Sequence, residues 1–284
     1  MRIWLAVAAV LLATQAAPAR ADRDKESGAP LPPHKAQNPS PINDRFYVSV
    51  AFYAPAVATS LRLDPSQAAP GVFGTTLDGE RDLGLPVRLD QGVVEFMFRM
   101  RTRSKLRVDY FEADRSANYP LANDVVFGNE TFLAGQMAQS SIDWRAFGLT
   151  YTYSFYRSDR LEIGTGLGVY FLQTQASGAV PAESEAQSVS AADPIPTLPL
   201  DFTWCISSRF AFTAHANYVQ ARIAEASGSF TDVHSDLQYR WNPNFSIAAG
   251  WSEMRIALAR SGGSTPGEVS MRFSGPQLLV RFSF

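Results

Sequence analysis

Among 284 residues there is a single cysteine, Cys205, and only three histidines. One cysteine leaves no disulfide framework, and no CxxC, HExxH or Cys/His cluster offers a metal site. Beyond position 20 no uninterrupted apolar run reaches the roughly 18 residues that a spanning helix needs, which excludes helix-bundle transporters and receptors. Charge of one sign is lacking too: 25 Lys and Arg stand against 27 Asp and Glu, a formal net charge of −2, and no basic block provides a footprint for nucleic acid. What is present is a foldable composition, 46% apolar, with 19 Phe, 10 Tyr and 5 Trp.

The N-terminus carries an export pattern. Met1-Arg2 precedes the apolar stretch Ile3 to Leu12, and small residues lead to Ala19-Arg20-Ala21, an A-x-A cleavage pattern. Residues 1–21 are therefore expected to be a signal peptide cleaved after Ala21, too short to span a bilayer and with no cysteine there to accept a lipid anchor. Residues 22–44 hold five prolines and no apolar period, so they read as an extended polar tether, with His34 a solvated residue within it.

From Arg45 onward the sequence alternates with period two, the mark of strands with two different faces. Val94, Phe96, Phe98 and Met100 oppose Glu95, Met97, Arg99 and Arg101; Phe147, Leu149, Tyr151, Tyr153 and Phe155 oppose Gly148, Thr150, Thr152 and Ser154. The split recurs to the last residues, where Pro276, Leu278, Val280, Phe282 and Phe284 oppose Gln277, Arg281 and Ser283. Soluble sandwiches alternate as well, but their strands average about 5 or 6 residues. Here the alternation runs for roughly 9 to 14, the span that crosses a bilayer at a tilt. Short polar turns at Arg103-Ser104, 157–160, Ser207-Ser208 and 241–244 alternate with longer loops at 117–140, 176–195 and 259–268.

On these residues the chain resembles the bacterial outer-membrane β-barrel proteins as a broad class, over about residues 45–284. Val280, Phe282 and the terminal Phe284, at alternate positions, are similar to the assembly signal read by the barrel-insertion machinery, with Leu279 where that signal often carries glycine. The resemblance implies an all-β, up-and-down antiparallel barrel with both termini and every short turn on the periplasmic side. Counted back from Phe284, strands fall at about 45–56, 91–102, 105–116, 141–156, 160–175, 196–206, 209–223, 229–241, 244–257 and 269–284. That is ten; twelve would need a real pair within 57–90, where Thr59 to Leu63 and Val72 to Leu77 are short candidates, and eight is the remaining alternative. Phe155, Phe210, Trp241, Phe245 and Phe284 lie near the periplasmic ends, as an interfacial girdle requires.

The opposite face would line the lumen. Its charges are Glu95, Asp109, Glu162, Asp201, Asp232 and Asp236 against Arg99, Arg101, Arg107, Arg240 and Arg281, a near balance. Mixed large charges in a ten-stranded barrel predict an ion-paired, mostly plugged interior, with Arg99–Asp109 as one pair across the turn at 103–104. A selective pore would more readily carry a ring of one sign. Gly164, Gly166 and Gly168 alternate along one strand and open no helix, so they make room for opposing side chains or ease curvature instead of cradling phosphate.

One constellation could carry chemistry. Strand pairing would set His215 opposite Asp201 and close to Asp236, His234 beside Asn217, and Ser252 across from His234. A histidine between carboxylates can be oriented as a general base. This is similar to the omptin-type proteases, ten-stranded barrels using Asp and His, although their active residues sit at the extracellular mouth and this cluster lies nearer the periplasmic end. Lipid A deacylases and phospholipases resemble it less, since their His and Ser face lipid. The expected function is a non-enzymatic outer-membrane barrel, structural or ligand-binding through extracellular loops. A surface hydrolase acting on peptides or lipids and a narrow small-solute channel are the alternatives. No cofactor or metal is expected; the expected partners are outer-membrane lipid and lipopolysaccharide, and the barrel-assembly machinery during insertion.

Overall fold

The computed structural model describes residues 40–65, 73–180, 185–223, 226–261 and 266–284. Fourteen strands follow in order: β1 (Phe46–Tyr53), β2 (Ala56–Leu63), β3 (Leu77–Asp78), β4 (Gln91–Arg101), β5 (Ser104–Pro120), β6 (Val125–Phe127), β7 (Glu130–Phe132), β8 (Met137–Arg157), β9 (Leu161–Val180), β10 (Glu185–Cys205), β11 (Phe210–Ile223), β12 (Ala226–Asn242), β13 (Phe245–Arg260) and β14 (Gly267–Ser283). All neighbours in the main sheet are antiparallel, and β1 pairs with β14 to close it. β2 continues β1 along β14 after a break at Ala54-Pro55, since Tyr53↔Gln277 and Ala56↔Ser274 belong to one register. The wall is therefore a closed barrel of ten staves, β1/β2, β4, β5 and β8 to β14. The segment Thr59 to Leu63 is thus part of the first stave and not half of an extra pair, and β6–β7 is a separate hairpin.

The four short turns lie at one end, beside Phe284. At the other end the expected loops are largely strand: β9 and β10 pair up to Val180↔Glu185, and β5 and β8 up to Pro120↔Met137. Long alternating strands cannot all sit in lipid, and a change in the alternation marks where they leave it. On β8 the outward residues Phe155, Tyr153, Tyr151, Leu149 and Phe147 give way to Arg145 and Asp143, while the inward residues Ser154, Thr152, Thr150 and Gly148 give way to Ala146, Trp144 and Ile142. β13 does the same: Ile247, Ala249 and Trp251 outside are followed by Glu253 and Arg255, and Ser246 and Ser252 inside by Met254 and Ile256. The lower nine residues of a strand, at ~3.4 Å each and a tilt of ~40°, rise about 23 Å, close to the apolar band of an outer-membrane barrel.

Above that belt the interior is a packed apolar core. Tyr53, Phe111, Trp144, Tyr170, Phe230, Met254, Met271 and Phe273 fill it, joined by Leu85 and Leu89 from the segment before β4. Phe273 stacks edge-on against Phe111 at 5.5 Å. β4 begins at Gln91, and the residues before it run along β2, with Val57 N–H donating to Val87 O (2.7 Å) and Gly79 N–H to Thr59 O (2.9 Å). Arg115, 3% exposed, fastens them: its guanidinium donates to Thr59 Oγ1 (2.7 Å), Glu80 Oε1 (2.5 Å) and Pro86 O (2.6 Å).

The opposite mouth is closed by the end of the expected tether. Residues 40–44 are packed: Ile42, 1% exposed, lies against Cys205 and Ala211, and Asp44 accepts both Arg240 amino groups, at 3.1 and 2.6 Å. The rest of residues 22–44 and all of 1–21 lie outside the described residues.

Candidate functional site

Between these two closures the inward side chains form polar layers. Nearest the mouth beside Phe284, Glu162 on β9 is 1% exposed and accepts two hydrogen bonds from Arg99 on β4 (2.7 and 3.0 Å) and one from Ser154 (2.5 Å). Lys105 Nζ stands 3.7 Å from Glu162 and 3.3 Å from Asp201. One layer up, Asp201 accepts from Arg107 (2.9 Å) and Thr152 (2.8 Å). Glu95 accepts from the Tyr47 hydroxyl (2.6 Å) and lies 3.8 Å from both Arg107 and Arg281. The Arg281 guanidinium sits 4.2 Å over the Tyr47 ring and donates to Gln238. Room between these groups is a cavity of about 40 Å³ lined by Tyr47, Met97, Lys105, Arg107, His215 and Arg281, enough for a few water molecules.

The uppermost polar layer holds the histidines. His215 pairs with Asp201 on one side, as expected, but with His234 on the other, the two rings stacked at 4.5 Å. Its nearest carboxylate contact is Glu95, 3.6 Å from Nε2. Asp236 faces Thr213 and accepts its hydroxyl (2.6 Å), so the expected sandwich of His215 between two aspartates does not form. Likewise Asn217 faces Asp232 and not His234. His234 Nε2 lies 2.8 Å from Asp232 Oδ1, and Asp232 Oδ2 accepts from Tyr170 (3.0 Å), which in turn accepts from Asn217. Ser252 does sit across from His234, at 2% exposure.

Two other expectations change. Arg99 faces Lys105, not Asp109, and reaches three staves away to Glu162; Asp109 faces Glu95 on one side and Gly148 on the other. Arg101 is exposed, because a register shift between Arg99 and Arg101 turns it out of the lumen. Gly148 makes room for Asp109: a Cβ there would lie 2.2 Å from its Oδ2. Gly166 instead admits backbone, since a Cβ would come 2.0 Å from the Tyr151 carbonyl. Lys105, Tyr47, Tyr170 and Asp44 belong to the network although the alternation did not single them out. Val280, Phe282 and Phe284 all point outward, 38%, 47% and 69% exposed.

Chemically, the His234–Asp232 pair has the geometry of an oriented imidazole, buried directly beneath the apolar core. Tyr170 and Phe230, each 1% exposed and 4.7 Å apart between ring centres, belong to that core.

A closed antiparallel barrel, apolar outside and polar inside over one membrane thickness, is the architecture of the outer-membrane β-barrels. No protein-family model and no curated protein sequence matches the chain. Solved structures similar to it include the outer membrane protease OmpT from Escherichia coli, 10% identical over 84% of this chain and 97% of that one, TM-score 0.49. They also include Ail, the attachment invasion locus protein of Yersinia pestis, in complex with the heparin analogue sucrose octasulfate (10%, 82% and 99%, TM-score 0.32). The toluene transporter TodX of P. putida is a third (7%, 84% and 90%, TM-score 0.32). No residue role passes from these structures to this chain.

Proposed function

We propose that this protein is a non-enzymatic barrel of the Gram-negative outer membrane, exported by a cleaved signal peptide and inserted by the barrel-assembly machinery, with a closed lumen. Its binding capacity then resides on the outer surface and the extracellular crown. One observation carries this reading: the described interior is filled from the Asp44–Arg240 pair at the periplasmic mouth, through the ion-paired layers, to the apolar core under residues 79–90. A buried charge persists only when paired, so Arg99, Lys105, Arg107 and Arg281 are spent on carboxylates and do not form a ring for passing anions. The histidines support the wall, because the hydrolase reading needs a route to Ser252 and His234 that the core occupies.

Purified protein reconstituted in planar bilayers is expected to give no steady conductance. Stepwise porin-sized currents would overturn the closed-lumen reading, and small steady currents would favour the narrow channel.

A further inference from the structure

The charged collar above the apolar belt is unevenly distributed around the barrel. On β5 and β8 it is acidic: Asp114 faces Asp143, and Glu112 faces Arg145, which bonds to it at 3.0 Å. On β13 and β14 it is basic. Arg255 and Arg272 face each other across the strand pair, with side chains 56% and 51% exposed. Two like charges in direct register are unfavourable without a counter-charge. Among the described residues, the carboxylate that contacts them is Glu253, shared by both: Arg272 Nη2 contacts it at 2.9 Å and Arg255 Nε also contacts it. Farther up, Arg62 is matched by Asp64 and Glu268.

The pair is held in place from below. Ser274 donates to Glu253 (3.1 Å) and accepts from the indole N–H of Trp251 (3.1 Å), an aromatic residue at the upper edge of the belt. Each guanidinium carries five N–H donors, of which the contacts to the shared carboxylate use a minority, and both side chains are more than half exposed just above the aromatic belt, the level of lipid headgroups. A dianionic phosphate matches two arginine forks better than a carboxylate or a zwitterion does.

We propose that Arg255 and Arg272 form a site for a phosphate of a phosphorylated outer-leaflet glycolipid, with Glu253 and Ser274 as positioning residues. The proposal rests on the outer-membrane reading above and names the lipid contact within it.

The test uses the full-length barrel folded in uncharged detergent, titrated with diphosphorylated lipid A, with its fully dephosphorylated form and with inorganic phosphate, and read by native mass spectrometry. Wild type should retain the phosphorylated lipid selectively. Arg255→Gln with Arg272→Gln should weaken retention by at least about tenfold, the worth of one charge-assisted hydrogen bond. Arg145→Gln, at the same height on the acidic side, should leave it unchanged, and Glu253→Ala, which removes the acceptor that positions both arginines, should weaken it. Heat-modifiability gels confirm that each variant is folded. Equal retention by the double variant, equal binding of the dephosphorylated lipid, or competition by inorganic phosphate at the same concentration would each overturn the site. Insertion into vesicles is scored on the same samples. A barrel that inserts without discriminating phosphorylated lipid overturns this proposal alone, whereas one that does not insert overturns the membrane reading beneath it.

Discussion

Glu162→Ala is expected to destabilise the folded barrel by about 3–5 kcal/mol, the range for breaking a buried ion pair from one side. The carboxylate is 1% exposed and is the acceptor for Arg99, the hydroxyl acceptor of Ser154 and a neighbour of Lys105. Its removal leaves the Arg99 guanidinium inside the wall with no carboxylate, since its remaining contacts, to the carbonyls of Asp44 and Thr102, carry no full charge, while Lys105 keeps only Asp201. Urea titration of the variants, followed by the mobility of unheated samples, reads the loss. Removing both ends should cost less than the sum, so Arg99→Ala combined with Glu162→Ala recovers part of it. Strictly additive losses would show that the pair does not form.

Deleting Phe284 is expected to remove most of the folded protein from the membrane fraction. The residue closes the foot of the β1–β14 seam: its N–H donates to Phe46 O (2.8 Å), and its carbonyl accepts from Arg45 and Phe46 N–H (3.1 Å each). Its ring lies 6.2 Å from that of Phe46, facing lipid. Seam closure and recognition by the insertion machinery predict different rescues. Phe284→Leu keeps the backbone bonds, so full recovery assigns the effect to the seam; continued loss assigns it to the aromatic ring. Unchanged insertion of the deletion variant would contradict both roles.

The staves, the inward charges and the His234–Ser252 register were legible because period-two alternation reports which face a residue takes. Alternation says nothing about slips by an even number of residues, which keep every side chain on its face. Alternation therefore allows His215 near Asp236 and Arg99 near Asp109, whereas the ladder pairs His215 with His234 and Arg99 with Lys105. An odd slip does change the face, and the irregularity between Arg99 and Arg101 is one, turning Arg101 outward. The apolar core was hidden for a different reason. Trp144, Phe111 and Phe273 fall on the same strand face as the lumen charges, and only the reversal of polarity outside them, at Arg145, Glu112 and Arg272, shows that the strand has left the lipid. The packed residues 40–44 carry no period at all, so the proline-rich composition around them masked Ile42 and Asp44.

The central claim, a belt in lipid around a sealed lumen below a water-exposed crown, is tested most directly on one strand. Single cysteines at Gln139, Thr150 and Tyr151 of β8 place a thiol respectively on the crown, in the lumen and on the belt, and the native Cys205 is buried at 6% exposure. With the protein reconstituted in vesicles and treated with a water-soluble maleimide, labelling is predicted at position 139 alone. Labelling at 150 would show an open lumen, and labelling at 151 would show that the aromatic belt does not lie in the bilayer.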